Sequence, residues 1–286
     1  MSVAGPSRRP GSDASTPAHE RLPISAVVIA RDAAVRIGAV LEAADICAER
    51  LVLDSGSTDD TVAIARAAGA RVEHQPFLGY GPQKRRAVEL AAHDWILSLD
   101  ADEVLDDEAR AACRRVDLSD PTVCWSIRRR TFVGGHEVLH GAWRGERVVR
   151  LFNRTAAGFK PAAVHEEVES RRRPRPLDGS ILHYSYADGR DVLARSLRYA
   201  PLKAGLLRAN GERAALWTLP VRGLAAFLKS YLVRGGWRDG GIGFVIALGR
   251  VIDSTLPRAL LLADESPPEP HRPAHGRPER PREHDA

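Results

Sequence analysis

DWILSLDADEVLDD, residues 94–107, is the stretch whose reading decides the fold. Trp95, Ile96, Leu97 and Leu99 form an apolar run that stops abruptly at Asp100, Ala101, Asp102 and Glu103, so a buried strand delivers three carboxylates to its own C-terminal mouth. Like charges held so close together repel one another. A hard divalent cation with oxygen ligands, Mg²⁺ or Mn²⁺ shared with a phosphate-bearing substrate, is the natural reason to gather them. The plainer alternative is a strand followed by an acidic helix start, with Asp106 as the cap and Glu103 and Asp107 solvated. Asp-x-Asp is a short pattern, so its surroundings decide between the two.

At 286 residues, 44% hydrophobic and 28% charged, the chain can bury one large core or two modest ones. Residues 1–22 are rich in Pro, Ser, Gly and Arg without an apolar h-region and read as a disordered leader, not a secretory signal. Residues 265–286 have the same character and read as a disordered tail. Cys47, Cys113 and Cys124 are odd in number and lack zinc-like spacing, which points to a reducing, cytoplasmic compartment and no disulfide framework. The net charge is +5, with basic runs at 128–130 and 171–175. Such runs suit anionic lipid, an acidic substrate or plain solvated faces. No zinc-finger, RNP-type or basic-zipper pattern accompanies them, so nucleic acid is not an expected partner.

Upstream of the acidic stretch, residues 24–30 (ISAVVIA) are a continuous β-branched run of the kind a strand covered on both faces requires. Residues 33–47 place Val35, Ile37, Val40, Leu41, Ala44 and Ile46 at roughly helical spacing. Residues 50–54 (RLVLD) form a second buried strand ending in an acid; Ser57 and Asp60 then make a helix-start signature, and Gly69 is placed as its C-terminal cap. Residues 70–74 are strand-like, and 82–92 read as a helix opened by proline. Four strands alternating with three helices predict an α/β fold with a Rossmann-like, mostly parallel sheet flanked by helices, which binds ligands beyond its C-terminal strand ends. Asp32, Asp54 and Asp100 to Asp102 all fall at those ends, so acids distant in sequence converge on one crevice.

Downstream, residues 122–130, 147–154 and 163–169 look like strands, and 188–210 returns to helical periodicity. Residues 214–263 are apolar but broken by Arg222, Lys229, Arg234, Arg238 and Arg250, which leaves no uncharged run long enough to span a bilayer. Trp217, Phe227, Tyr231 and Trp237 among these basic residues suit a helix pair lying in a membrane interface, the alternative being packing on the domain.

Seven motifs in order, VVIARD, VLDSGSTDDTVAIARAAGA, GYGPQKRRAVELA, DWILSLDADE, RLFNR, VHEEV and LHYSY, cover roughly residues 24–260 and resemble the family 2 glycosyltransferases of GT-A fold. The pattern is most similar to bacterial lipopolysaccharide core β-1,4-glucosyltransferases. The resemblance implies a GT-A domain over 23–186, with a nucleotide-binding half at 23–110 and an acceptor half at 111–186, followed by a helical, membrane-interfacial segment at 187–264. It implies inverting transfer of a sugar, glucose by resemblance, from a nucleotide-sugar donor such as UDP-glucose to a lipid-linked or lipopolysaccharide-core acceptor. The expected location is the inner face of the cytoplasmic membrane.

Carried over by position, the resemblance makes Asp54 the nucleobase contact, with Ala30 and Asp32 lining the same pocket and Lys84 near the donor diphosphate or ribose. Asp102 would ligate the Mg²⁺ or Mn²⁺ directly, and Asp100 would act through the donor ribose or a metal-bound water. Glu103 would line the sugar or acceptor side, Arg150 would contact acceptor or phosphate, and His183 would complete the metal shell. The family's downstream base matches His165, Glu166 and Glu167. If residues 164–168 are extended, the two glutamates face opposite sides, and Glu166 is taken as the base.

Two departures stand out. The family's usual Asn-Glu after the first strand is Asp32-Ala33 here, and the usual Asn after Gln-Lys is Arg85. A rival reading follows from them: a basic, membrane-surface binding module without catalysis. A haloacid-dehalogenase-type phosphatase would instead carry its Asp-x-Asp on the first strand, not the fourth.

Overall fold

The structure, a computed structural model, describes residues 21–159 and 167–263. The tail expected at 265–286 and all of the leader before Arg21 lie outside the described residues, as do His165 and Glu166.

Seven elements open the chain: β1 (Leu22–Ala30), α1 (Ile37–Ala43), β2 (Cys47–Asp54), α2 (Thr61–Ala67), β3 (Arg71–His74), α3 (Tyr80–Leu90) and β4 (Trp95–Asp100). The strands pair in the order β3-β2-β1-β4, all parallel. Side chains alternate across this sheet. Ile24, Ala26 and Val28 of β1 and Leu97 and Leu99 of β4 join Ile37, Val40 and Leu41 of α1 in one core cluster. Val27 and Ile96, one residue out of phase, join Leu51, Leu53 and Ala87 of α3 in a second. Both faces are thereby covered, which is why these strands read as unbroken apolar runs.

Local chemistry redraws three expected boundaries. The helix expected over 33–47 is confined to α1. At its start the Ala33 and Ala34 amides donate to Thr61 Oγ1 (2.7 Å) and Asp59 Oδ2 (3.0 Å); at its end the Ile46 carbonyl accepts from Leu22 N (2.8 Å) in the sheet. The expected helix-start box at Ser57 and Asp60 does not form, because the Ser57 hydroxyl is bound to Asp54 and Asp60 makes no side-chain cap. Pro82 lies within the first turn of α3, which Tyr80 opens.

Past β4 come β5 (Glu103–Leu105), α4 (Asp107–Cys113), β6 (Trp125–Val133), β7 (His136–Glu137), β8 (Arg147–Asn153), β9 (Ala157–Phe159), β10 (Val168–Ser170) and β11 (Arg175–Tyr186). The main sheet continues β4-β8-β6-β11-β5, with β8 antiparallel to both β4 and β6, so the sheet is mixed. β9 and β10 pair separately. Helices α5 (Gly189–Ala209), α6 (Thr218–Leu228) and α7 (Gly240–Leu262) complete the described chain, with a π-helical turn at Lys229–Val233 after α6. The helical C-terminal segment expected from periodicity is therefore present.

The chain divides into two compact units, Met1–Arg128 with Arg147–Ile181, and Arg129–Glu146 with Leu182–Ala286. The second has its own small core of Val133, Val138, Val192 and Ile246. Within it, Lys203 Nζ on α5 meets Asp253 Oδ1 on α7 at 2.7 Å.

Candidate active site

The acids singled out in the sequence lie along one rim of the first unit. Asp54 is the last residue of β2 and pairs in register with Ala30; Asp100 is the last residue of β4 and pairs with Ile29. Their strands flank β1 on either side, so the two acids stand roughly two strand spacings, about 10 Å, apart across its C-terminal end.

Asp54 is almost fully buried and is held by its own loop. Its Oδ2 accepts from the amides of Gly56 (2.9 Å) and Ser57 (3.1 Å), and Oδ1 accepts from the Ser57 hydroxyl. Burial by itself would raise this carboxyl; the hydrogen bonds from Ser57 and Gly56 outweigh it and hold Asp54 below the ordinary carboxylate range. A fixed, ionised acceptor at a strand end suits recognition of a ring N–H. His74 Nδ1 stands 3.7 Å from Oδ2 on the neighbouring strand.

Asp32 has φ +49°, the one positive φ outside glycine among the described residues. Its Oδ1 accepts from the Thr58 amide at 2.7 Å, and its own amide donates to Ser57 Oγ at 3.0 Å, which locks the loops after β1 and β2 together. Asp and Asn are the non-glycine residues that tolerate this left-handed backbone best, so Asp32 suits the position.

Around Asp100 the charges interlock. Lys84 Nζ, buried on α3, lies 2.6 Å from Oδ1, and Arg150 Nη2 donates to Oδ2 at 2.8 Å. The same Arg150 holds Glu103 through Nη2 to Oε1 (2.6 Å) and Nε to Oε2 (2.8 Å), and Glu103 Oε2 accepts from the Asp100 amide at 3.1 Å. Glu103 is completely buried and Arg150 nearly so. Lys84 also lies over the Phe159 ring, 5.6 Å from its centroid.

Asp102 is half-buried in the short turn between β4 and β5. Both oxygens of Asp100 are thus engaged by cations. Carboxylate oxygens, as on these acids, are the hard ligands that suit Mg²⁺ or Mn²⁺. His183 lies on the part of β11 that belongs to the second unit, with its ring against the Ser185 hydroxyl. Glu166, the expected base, lies outside the described residues.

Two residues that position the site were not singled out from sequence. Ser57 was assigned to a helix cap and instead braces Asp54 and Asp32. Gln83 is buried beside Lys84; its Nε2 donates to Ser55 Oγ (3.1 Å) and to the Gln75 carbonyl (3.1 Å), while its Oε1 accepts from the Leu78 amide (3.2 Å). A buried glutamine in an exposed-looking helix start leaves no periodic signal, so only its place within the GPQK motif marked it.

Residues 27–176 match the model of glycosyl transferase family 2. The chain is 30% identical over 236 residues to the lipopolysaccharide core biosynthesis glycosyltransferase LpsC of Rhizobium meliloti, covering 80% of this chain and 87% of that protein. It is 28% identical over 235 residues to an uncharacterized glycosyltransferase, RP128, of Rickettsia prowazekii, covering 78% and 80%. Among solved structures, glucosyl-3-phosphoglycerate synthase of Mycobacterium tuberculosis, in complex with Mn²⁺, UDP and its glucosylated product, aligns with TM-score 0.38 at 20% identity, over 67% of this chain and 81% of that one.

Proposed function

The chain belongs to glycosyl transferase family 2, and on that footing we propose that it moves a hexose, taken as glucose, from UDP to a lipid-linked or lipopolysaccharide-core acceptor at the inner face of the cytoplasmic membrane. The observation that carries this reading is the rim on which Asp54 and Asp100 end strands either side of β1, the second of them gripped by Lys84 and Arg150. The name of the Rhizobium meliloti relative supports the acceptor class.

In the proposed reaction the acceptor hydroxyl forms a bond to the anomeric carbon while the bond from that carbon to the diphosphate oxygen breaks, with inversion. Glu166 takes the hydroxyl proton. Asp54, with Ala30 and Asp32 beside it, receives the nucleobase, and Asp100 and Lys84 orient the ribose and diphosphate. Asp102 would hold Mg²⁺ or Mn²⁺, and such an ion would supply charge stabilisation for the departing diphosphate. Arg150 adds positive charge on the acceptor or phosphate side, and the completely buried Glu103 holds its guanidinium in place.

The test is release of UDP from UDP-glucose, with and without Mn²⁺, by wild type beside Asp102→Ala. Metal-dependent release, reduced at least about a hundredfold in the variant, supports the transferase. Absence of donor binding by wild type across a panel of nucleotide sugars with metal present would overturn it in favour of the non-catalytic binding module.

A further inference from the structure

Helix α6 turns much of its apolar surface outward. Trp217, Val221, Leu224 and Leu228 recur at i, i+4, i+7 and i+11, one stripe of an α-helix. They are 78%, 64%, 60% and 39% exposed, and Leu232, Val233 and Trp237 continue the exposed surface past the helix end. The opposite face is already satisfied: Phe227 and Tyr231 meet Phe244 of α7 edge-on at 5.6 and 5.7 Å between centroids. A Cβ on Gly223 would lie 3.2 Å from Thr255 and 3.3 Å from Val251, so this glycine seats α6 closely on α7. Beside that contact opens an apolar groove of about 570 Å³, lined by Leu216, Leu219, Leu224 and Phe227 with Val251 and Thr255.

The charge on this surface has one sign. Between Gly211 and Gly240 stand Arg213, Arg222, Lys229, Arg234 and Arg238, all exposed. The two acids of the same stretch are engaged, Glu212 with Arg258 at 3.4 Å and Asp239 with His140 at 2.9 Å. A contiguous apolar stripe fringed by cations is costly to leave in water and marks an interaction surface. A second copy would set one basic surface against another, which disfavours the contact. An anionic bilayer meets both demands, since acyl chains take the stripe and headgroup phosphates take the basic residues. α6 has 11 residues, about 16 Å, against a hydrocarbon core of about 30 Å. No helix among the described residues is long and apolar enough to cross a membrane.

We propose that α6 and the turn after it are a lipid-docking surface that lies in the plane of an anionic bilayer, with Trp217, Val221, Leu224 and Leu228 at the acyl boundary and Arg222 and Lys229 at the headgroups. The proposal deepens the membrane-side reading above by naming the surface and the lipid charge. Its test needs neither donor nor acceptor, so its failure would leave sugar transfer standing.

The experiment is co-sedimentation with phosphatidylcholine vesicles, with and without phosphatidylglycerol, of the full chain and two double variants, Trp217→Ser with Leu224→Ser and Arg222→Gln with Lys229→Gln. Their melting curves check that these surface changes leave the fold intact. Wild type is expected to bind the anionic vesicles at least about tenfold more tightly than the neutral ones, with a blue shift in tryptophan emission, and each variant to lose about tenfold. Equal affinity for both lipids, no binding to either, or full binding by both variants would overturn the proposal. So would a dimer in the ultracentrifuge that the Trp217→Ser, Leu224→Ser variant abolishes in the absence of any lipid binding.

Discussion

Arg150 donates to two carboxylates at once, and its guanidinium binds both oxygens of the completely buried Glu103. Lys84 and Arg150 share Asp100, and Arg150 also holds Glu103, so the three ion pairs depend on one another. Removing one partner of a buried ion pair costs about 3–5 kcal/mol, whereas replacing both by apolar groups of similar size is often close to neutral. Arg150→Ala is therefore expected to lower stability by about 3–5 kcal/mol in urea unfolding, and Arg150→Met with Glu103→Leu to recover most of that loss. If the double variant were no more stable than the single one, the pair would not be the source of the loss. The family resemblance singled out both residues and could not pair them, because 47 positions separate them and the contact exists only once β8 lies beside β4.

Among the elements, α4 shows how a cap can serve two masters. Asp106 Oδ1 accepts from the Ala109 amide at 2.8 Å, the ordinary helix cap, and also from the Ser180 amide of β11 at 3.0 Å. The metal reading and the cap reading of residues 94–107 are thus compatible, since the acids before Asp106 sit on the rim and Asp106 itself caps. Gly179, at φ +80°, allows this approach: a Cβ there would stand 2.1 Å from the Ala109 nitrogen. Asp106→Ala is expected to cost about 1–2 kcal/mol, and Gly179→Ala more, because it combines a strained backbone with a clash that backbone must relieve. Thermal melts of the two variants check the ranking; a smaller loss for Gly179→Ala would contradict it. Strand β11 is not among the strands expected from the sequence, since RPLDGSILHYSY carries Pro176 and Gly179 within it and lacks clean alternation.

For the molecule as a whole, acid is the expected route to unfolding. Burial alone would raise Glu49 as well as Asp54, yet hydrogen bonds from Ser25, Ala92 and Arg71 carry Glu49 below its ordinary value, as those from Ser57 and Gly56 do for Asp54. With folded values depressed, the stability these two contribute is complete above the unfolded pKa of about 4 and is lost as pH falls through the folded value. Urea midpoints should stay flat from pH 7 to about 5 and then fall, less steeply in Asp54→Asn. An unchanged slope in that variant would remove Asp54 from the account. The cysteines take no part near neutrality: all three are free and buried, and burial pushes the Cys113 thiol up to about 12. What the amino-acid sequence determined by itself was a parallel core built of β1 to β4, though not their order, and the placing of Asp54 and Asp100 at its rim. A strand buried on both faces must be written as an unbroken apolar run, and the acid that ends the run must then lie at the strand's mouth. Tertiary structure alone decided the partners, Arg150 for Glu103 and Ser57 for Asp54, and which side of α6 faces water. Periodicity states which residues share a face, whereas pairing and covering depend on what the fold brings from far along the chain.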